Sequence, residues 1–309
     1  MREYLIATPG YVHFCGGIKS LHKLAYELNQ RGYTAYVTGD YCNPEFNTPM
    51  AKLLSQEKLR DLQHNGVIVY PDIVPNNPAR FTHCVKYWLG ASQPPPPNQL
   101  VFSFSEMHDV VHKNENHLFI WHIESFFEEP DIENRHTNCA YAGKGSGIDI
   151  KPVPEIGPAN AYNGIPGCFR ITAGNPNNRV VLAQLLQQSK VFYCYDNLTV
   201  LMTEARLCGT PVILMGHYVI PPDDFLNKDE FSQYGIGMYD DNPDIDKLKS
   251  EIPLFREVYK QRENKTKKEI ERFIELTQEW NKDNIYVDDP GPYDHKIYGH
   301  KNFELWRTR

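Results

Sequence analysis

The sequence predicts an α/β protein built from two doubly wound domains with parallel sheets that face each other. Three observations carry this prediction. Short apolar or β-branched runs alternate with helix-period segments in both halves of the chain. The 309 residues suit about two domains. The composition, 41% hydrophobic and 23% charged, is that of a globular protein rather than a disordered one.

Residues 4–8 (YLIAT) form the first apolar run. A helix pattern follows, apolar at Ile18, Leu21, Leu24, Ala25 and Leu28, and it stops at Gly32, where a left-handed cap is expected. Residues 34–38 (TAYVT) complete a βαβ unit, whose strands are parallel. Further strands are expected at 66–70 (GVIVY), 100–104 (LVFSF) and 118–123 (LFIWHI), with a helix over 79–89. The four prolines at 94–97 suit neither a helix interior nor a central strand, so they read as an extended connector.

A second α/β region opens with a strand at 138–142 (NCAYA). After a long stretch rich in Pro, Gly and Asn come a helix at 179–188, a strand at 191–195 (VFYCY), a helix at 198–208, a buried strand at 211–215 (PVILM) and a short strand at 236–239. From 245 to 280 the sequence is helical and charged. Ile270, Phe273, Ile274 and Leu276 mark its apolar face, and a solvated face accounts for the charges of 260–272. The expected domains are 1–135, with 265–309 packing back on it, and 136–264. No repeat of fixed period is visible.

The net charge of −7, with no dense Lys/Arg stripe outside 260–268, disfavours nucleic acid as a partner. The seven cysteines (Cys15, Cys42, Cys84, Cys139, Cys168, Cys194 and Cys208) are scattered and form no CxxC pair, which suits reduced thiols better than a zinc site or disulfides. No apolar run reaches the roughly 18 residues of a membrane span, and the first ten residues lack a signal-peptide stretch. The expected setting is the cytoplasm.

Three segments could carry chemistry. Gly16 and Gly17 lie between the first strand and its helix, where backbone can approach an anion and the helix N-terminus offers unpaired amides. The spacing matches neither GxGxxG nor GxxxxGK[ST], and a tight turn without a ligand is the alternative. Lys144 sits among Gly143, Gly145 and Gly147 just after the strand NCAYA, where ligands of open α/β sheets bind; a plain glycine-rich loop tip is the other reading. The third segment, residues 193–215 (YCYDNLTVLMTEARLCGTPVILM), places Asp196 at a strand end, with Asn197, Leu198 and Thr199 opening a helix. Glu204 follows among Leu201, Met202, Ala205 and Leu207. A carboxylate in apolar surroundings needs a polar partner. Ribose hydroxyls would serve, and so would protein groups; Asp196 could equally be a helix cap.

This segment resembles the nucleotide-sugar signature of GT-B glycosyltransferases, especially the retaining family 4 type, in which an acidic residue is followed eight positions later by Glu in an E-A-x-x-x-G-x-P-V context. Here Asp196 takes the first acidic position and Glu204 the second, followed by Ala205, Gly209, Pro211 and Val212. The resemblance implies that Asp196 binds donor-sugar hydroxyls as a catalytic residue, that Glu204 holds the ribose, and that the Asn197, Leu198 and Thr199 backbone meets the diphosphate. It extends to Gly16 and Gly17 with the following LHKLAYELNQRGY helix, and to Lys144 as the basic residue pairing with the diphosphate. The Y-x-Y-D and G-K-G style is similar to that of subgroups making bacterial capsule or lipopolysaccharide chains.

The sequence departs from the family in three places: Asp stands where Glu is usual, Asn197-Leu198 replaces Gly-Phe-Gly, and the arginine partnering the basic residue has no evident counterpart. Among His13, His108 and His122, the last sits on LFIWHI and is the candidate N-terminal histidine contacting the donor sugar. The likeness further implies a C-terminal crossover helix, an interdomain donor cleft, and transfer from a nucleotide diphosphate sugar, as substrate, to a glycan or lipid-linked glycan. Such an acceptor is compatible with peripheral membrane association. No cofactor or metal is expected, since the DxD at Asp244-Ile245-Asp246 opens a helix rather than ending a strand. Rival readings are a phage-type glycosyltransferase of hydroxymethylated DNA bases and a non-catalytic nucleotide-sugar binding protein.

Overall fold

The computed structural model describes residues 1–90, 100–106, 114–131, 134–141, 168–172, 174–197, 199–215 and 233–279. Residues 94–97, Lys144 with its flanking glycines, Leu198, His108 and residues 288–309 therefore lie outside the described residues. The chain divides into two compact units, the described residues of Met1–His122 with Asn264–Arg309, and those of Ile123–Glu263.

In the first unit β1 (Tyr4–Ile6), β2 (Ala35–Val37), β3 (Val67–Pro71), β4 (His83–Trp88) and β5 (Leu100–Ser103) form a parallel sheet of order β2-β1-β3-β4-β5. Both faces are covered. Tyr4, Ile6, Val67 and Val69 pack with Leu21, Leu24 and Leu28 of α1 (Gly16–Gln30), while Leu5, Ile68 and Tyr70 pack with Leu59 and Leu62 of α2 (Gln56–Asn65). Strands buried on both faces lack alternation, as the all-buried VIVYP of β3 shows. Helix α1 closes as expected, with Gly32 at φ +82°.

The second unit repeats the plan. Strands β6 (Thr137–Tyr141), β7 (Cys168–Ile171), β8 (Ser189–Cys194), β9 (Val212–Leu214) and β10 (Ile236–Met238) are parallel in the order β10-β9-β8-β6-β7. Read in chain order, both sheets have the 2-1-3-4-5 winding of flavodoxin-like domains. Helices α3 (Arg179–Gln187) and α4 (Leu201–Leu207) pack on one side of the second sheet, and Leu248, from the start of α5 (Ile245–Gln278), packs on the other with Val191, Tyr193 and Ile213. Helix α5 runs past Pro253. Its residues to Glu263 belong to the second unit, and those from Asn264 belong to the first. There Phe273 meets Tyr4 and Phe102, and Thr277 hydrogen-bonds the Tyr4 hydroxyl at 2.7 Å.

Four expectations need correction. Residues 79–89 are not a helix. Arg80 adopts φ +55°, the Asn77 side chain bonds both Phe81 backbone groups, and β4 then pairs in parallel with β3 and β5. Its unbroken burial gives the apolar density that mimics a helix. Residues 118–123 are not a strand either. A single bridge joins Ser103 to His117, and beyond it Phe119 donates its N–H to Glu269 and accepts from Thr266, so α5 takes the groups a ladder would need. Helix α4 begins at Leu201, three residues later than expected. Gly16 and Gly17 are the first two residues of α1, not a turn before it. The sequence reading also missed α2, where Ser55 caps the Lys58 N–H, and β7.

Candidate functional site

Doubly wound sheets place ligands at the carboxyl ends of strands, where strand order reverses. In the second sheet that point lies between β6 and β8. Tyr141 ends β6, and Asp196 and Asn197 follow β8. The two strand ends are tied by the Tyr195 N–H to the Tyr141 carbonyl at 2.9 Å. Burial, and next the charge of Asp196, push the Tyr141 phenol up to about 12, while a hydrogen bond with Thr199 opposes them. Tyr141, Asp196 and Thr199 are thus one polar cluster at the switch point. Asn197 is buried, and Thr199 Oγ1 accepts from the Leu201 N–H at 3.4 Å.

Glu204 sits in α4 with 0% exposure. Arg179, the first residue of α3, donates to it from Nη1 (3.1 Å to Oε2) and Nη2 (2.5 Å to Oε1). The same guanidinium donates from Nε and Nη2 to Glu124 at 3.1 and 2.8 Å, and it lies 4.5 Å from the Phe127 ring centroid. Burial opposes the Arg179 charge, but the two carboxylates outweigh it and hold its pKa above the ordinary arginine value. Glu204 also contributes, after burial, to raising the Cys208 thiol to about 12. Of the two readings of Glu204 open in the sequence, this arrangement gives it a protein partner.

The sequence reading named neither Arg179 nor Glu124 as site residues. One local signal was present: an arginine in the first turn of α3, behind the cap formed by Asn178 Oδ1 on the Val180 and Val181 N–H groups, opposes the helix dipole and needs a carboxylate. The rest of α4 is held at its C-terminus. Arg135 donates to the Cys208 carbonyl and Arg256 to that of Leu207, with Glu129 paired to both arginines. Gly209, at φ +77°, turns the chain toward β9.

In the first unit Gly16 and Gly17 open α1 behind β1, at that sheet's own reversal between β1 and β3. No side chain of Cys15 caps the helix. A Cβ at Gly16 would meet nothing within 4 Å, whereas one at Gly17 would press on Leu89 at 3.3 Å. His122 lies 3.6 Å from Glu45 and stacks edge-on against Phe46, whose ring also meets Tyr11 and Tyr26. The Asp244 side chain accepts the Asp246 and Lys247 N–H groups, so the DxD is a helix start as read from the sequence. Among the described residues, no group of three or more His, Cys, Asp or Glu could hold a metal ion. Nor is any helix there long and apolar enough to cross a membrane.

No family model matches the chain, and no curated protein matches it. Solved structures do. A glycosyltransferase from Rickettsia africae superposes with a TM-score of 0.50 at 10% identity, covering 99% of this chain and 98% of that one. SnogD, a glycosyltransferase from Streptomyces nogalater, gives 0.46 at 11% identity over 90% and 99%, and MurG from Acinetobacter baumannii gives 0.42 at 9% over 90% and 100%. The fold is the GT-B architecture of two Rossmann-like units with parallel sheets.

Proposed function

We propose that this GT-B chain is a glycosyltransferase that moves a sugar from a nucleotide diphosphate sugar to a glycan or lipid-linked glycan. The observation that carries the reading is the placement of the Asp196–Glu204 segment. Its first carboxylate stands at the carboxyl end of β8 beside the switch point, and its second sits eight residues on in α4. The glycosyltransferase fold agrees with it.

On this reading Asp196 accepts hydrogen bonds from the donor-sugar hydroxyls and Glu204 from the ribose. Lys144, Gly16, Gly17 and the backbone of Asn197, Leu198 and Thr199 face the diphosphate. The bond from the anomeric carbon to the diphosphate oxygen breaks, and its electron pair stays on the diphosphate, where the Lys144 cation and these amides stabilise it. The acceptor hydroxyl oxygen bonds to the same face of the anomeric carbon and passes its proton to the departing diphosphate oxygen. Retention, the capsule or lipopolysaccharide setting and a donor-sugar contact by His122 are the finer parts of the proposal, and they rest on the family likeness. No step requires a metal.

The experiment is a binding and turnover panel with UDP-, GDP-, ADP- and CDP-sugars, read as heat of binding and as release of free nucleotide diphosphate. Binding of one base class, release of its diphosphate, and loss of both in Glu204→Ala are expected. Binding without release for any donor or acceptor would leave a binding protein and not an enzyme. Undiminished turnover in Glu204→Ala would sink the donor assignment.

A further inference from the structure

Arg179 serves two carboxylates in unlike ways. Toward Glu204 it is end-on, with Nη1 and Nη2 taking one oxygen each; toward Glu124 it is side-on, through Nε and Nη2. Glu204 has no exposed surface, whereas the Glu124 side chain keeps 11%. In this arrangement no ligand hydroxyl reaches Glu204 unless its carboxylate first turns from the guanidinium. Separating an ordinary buried ion pair leaves an uncompensated charge, which is strongly unfavourable. Here the side-on contact with Glu124 and the stacking on Phe127 remain, so the guanidinium stays paired.

We propose that Glu124 is a positioning residue of the nucleotide site: it retains Arg179 while Glu204 turns from the guanidinium to the ribose diol of a nucleoside diphosphate. The inference rests on the proposed function and deepens it, because it names what makes Glu204 available. Glu124 acts through Arg179 and does not touch the ligand. A lysine at 179 could not do the same, since an ammonium lacks the planar fork that holds two carboxylates at once.

The test titrates the full chain with UDP, GDP, ADP and CDP by calorimetry, then determines the structure of the complex with the nucleotide that binds. Glu124→Gln is expected to weaken binding by about tenfold or more, because Arg179 is then held by Glu204 alone. Glu124→Asp, which keeps the charge, should recover most of that loss. In the complex Arg179 should pair with Glu124 while Glu204 faces the ribose. Affinity of Glu124→Gln within about twofold of the parent, or a complex in which Arg179 still holds both Glu204 oxygens, overturns the inference and leaves nucleotide binding standing. If the parent protein binds none of the four, the proposed function falls and this inference with it. Should Glu124→Gln fail to fold, Glu124→Asp and the complex decide.

Discussion

The guanidinium carbon of Arg206, in α4, lies 3.7 Å from the ring centroid of Phe255, in α5, and both side chains are sealed from solvent. Nε and Nη1 donate to the Met202 and Tyr234 carbonyls at 3.2 and 3.1 Å. A buried arginine survives here because backbone oxygens take its Nε and Nη1 donors and an aromatic face takes its charge.

Phe255→Ala should therefore destabilise by about 3–5 kcal/mol, the range for a large aromatic truncated in a core. Phe255→Leu keeps an apolar side chain but loses the ring face, and should cost about 2 kcal/mol, the scale of a desolvated cation–π contact. Urea denaturation measures both. Equal stability of Phe255→Leu and the parent would show that the ring contributes only volume.

Glu204 and Arg179 should respond unequally to truncation. Glu204→Gln leaves the guanidinium paired with Glu124, so the loss should sit near or below about 3 kcal/mol, the low end for breaking a buried ion pair. Arg179→Ala leaves two carboxylates without their shared cation and should cost about 5 kcal/mol or more. Denaturant midpoints compared at constant slope check the order; a reversed order would mean that Glu204 is not held through Arg179.

The glycines separate stability from binding. Gly209→Ala forces a side chain into a left-handed backbone and sets its Cβ 2.4 Å from Glu129 Oε1 and 2.5 Å from Arg135 Nη2. The backbone term alone is about 1–2 kcal/mol, and displacing the Glu129–Arg135 pair adds to it. Gly16→Ala meets open space at a helical position and should stabilise by up to about 1 kcal/mol. If Gly16 faces the diphosphate, the same variant should bind nucleotide more weakly. Calorimetry beside thermal denaturation reads the two effects separately.

His22 carries a pH dependence. It is fully buried, its Nε2 lies 3.0 Å from the Pro9 carbonyl, and burial holds its pKa below the ordinary 6.5 despite that bond. As pH falls through 6.5 the unfolded chain takes up a proton that the folded chain does not. Its contribution to stability is thus intact above 6.5 and is lost as pH drops toward the folded value. Stability measured by urea between pH 7.5 and 5.5 should decline, and His22→Gln should flatten the decline. An identical slope in the variant would assign it elsewhere, for instance to His83, which burial also depresses.

Much of the architecture follows from local pattern. The run at residues 4–8, the helix ending at the left-handed Gly32, the helix beginning at Arg179 and the long charged helix with Ile270, Phe273 and Ile274 inward can all be read from spacing and caps. So can the carboxylate spacing of Asp196 and Glu204. Failures came where pattern is ambiguous. The run around β4 has no alternation of its own, because the strand is buried on both faces, Lys86 included. Residues 118–120 are apolar and buried yet form no strand, because Glu269 and Thr266, some 150 residues along the chain, claim the Phe119 backbone.

By itself, then, the sequence determined which segments are helical or extended at their clearest, and which carboxylates stand eight residues apart. Tertiary structure alone decided that both sheets wind in the same order, that Tyr141 shares the switch point with Asp196, and that Arg179 joins Glu124 to Glu204. The reason is physical. Periodicity and capping act over one or two turns of chain, whereas these partners lie 55 and 25 residues from Arg179, and only strand pairing and burial bring them within hydrogen-bonding distance.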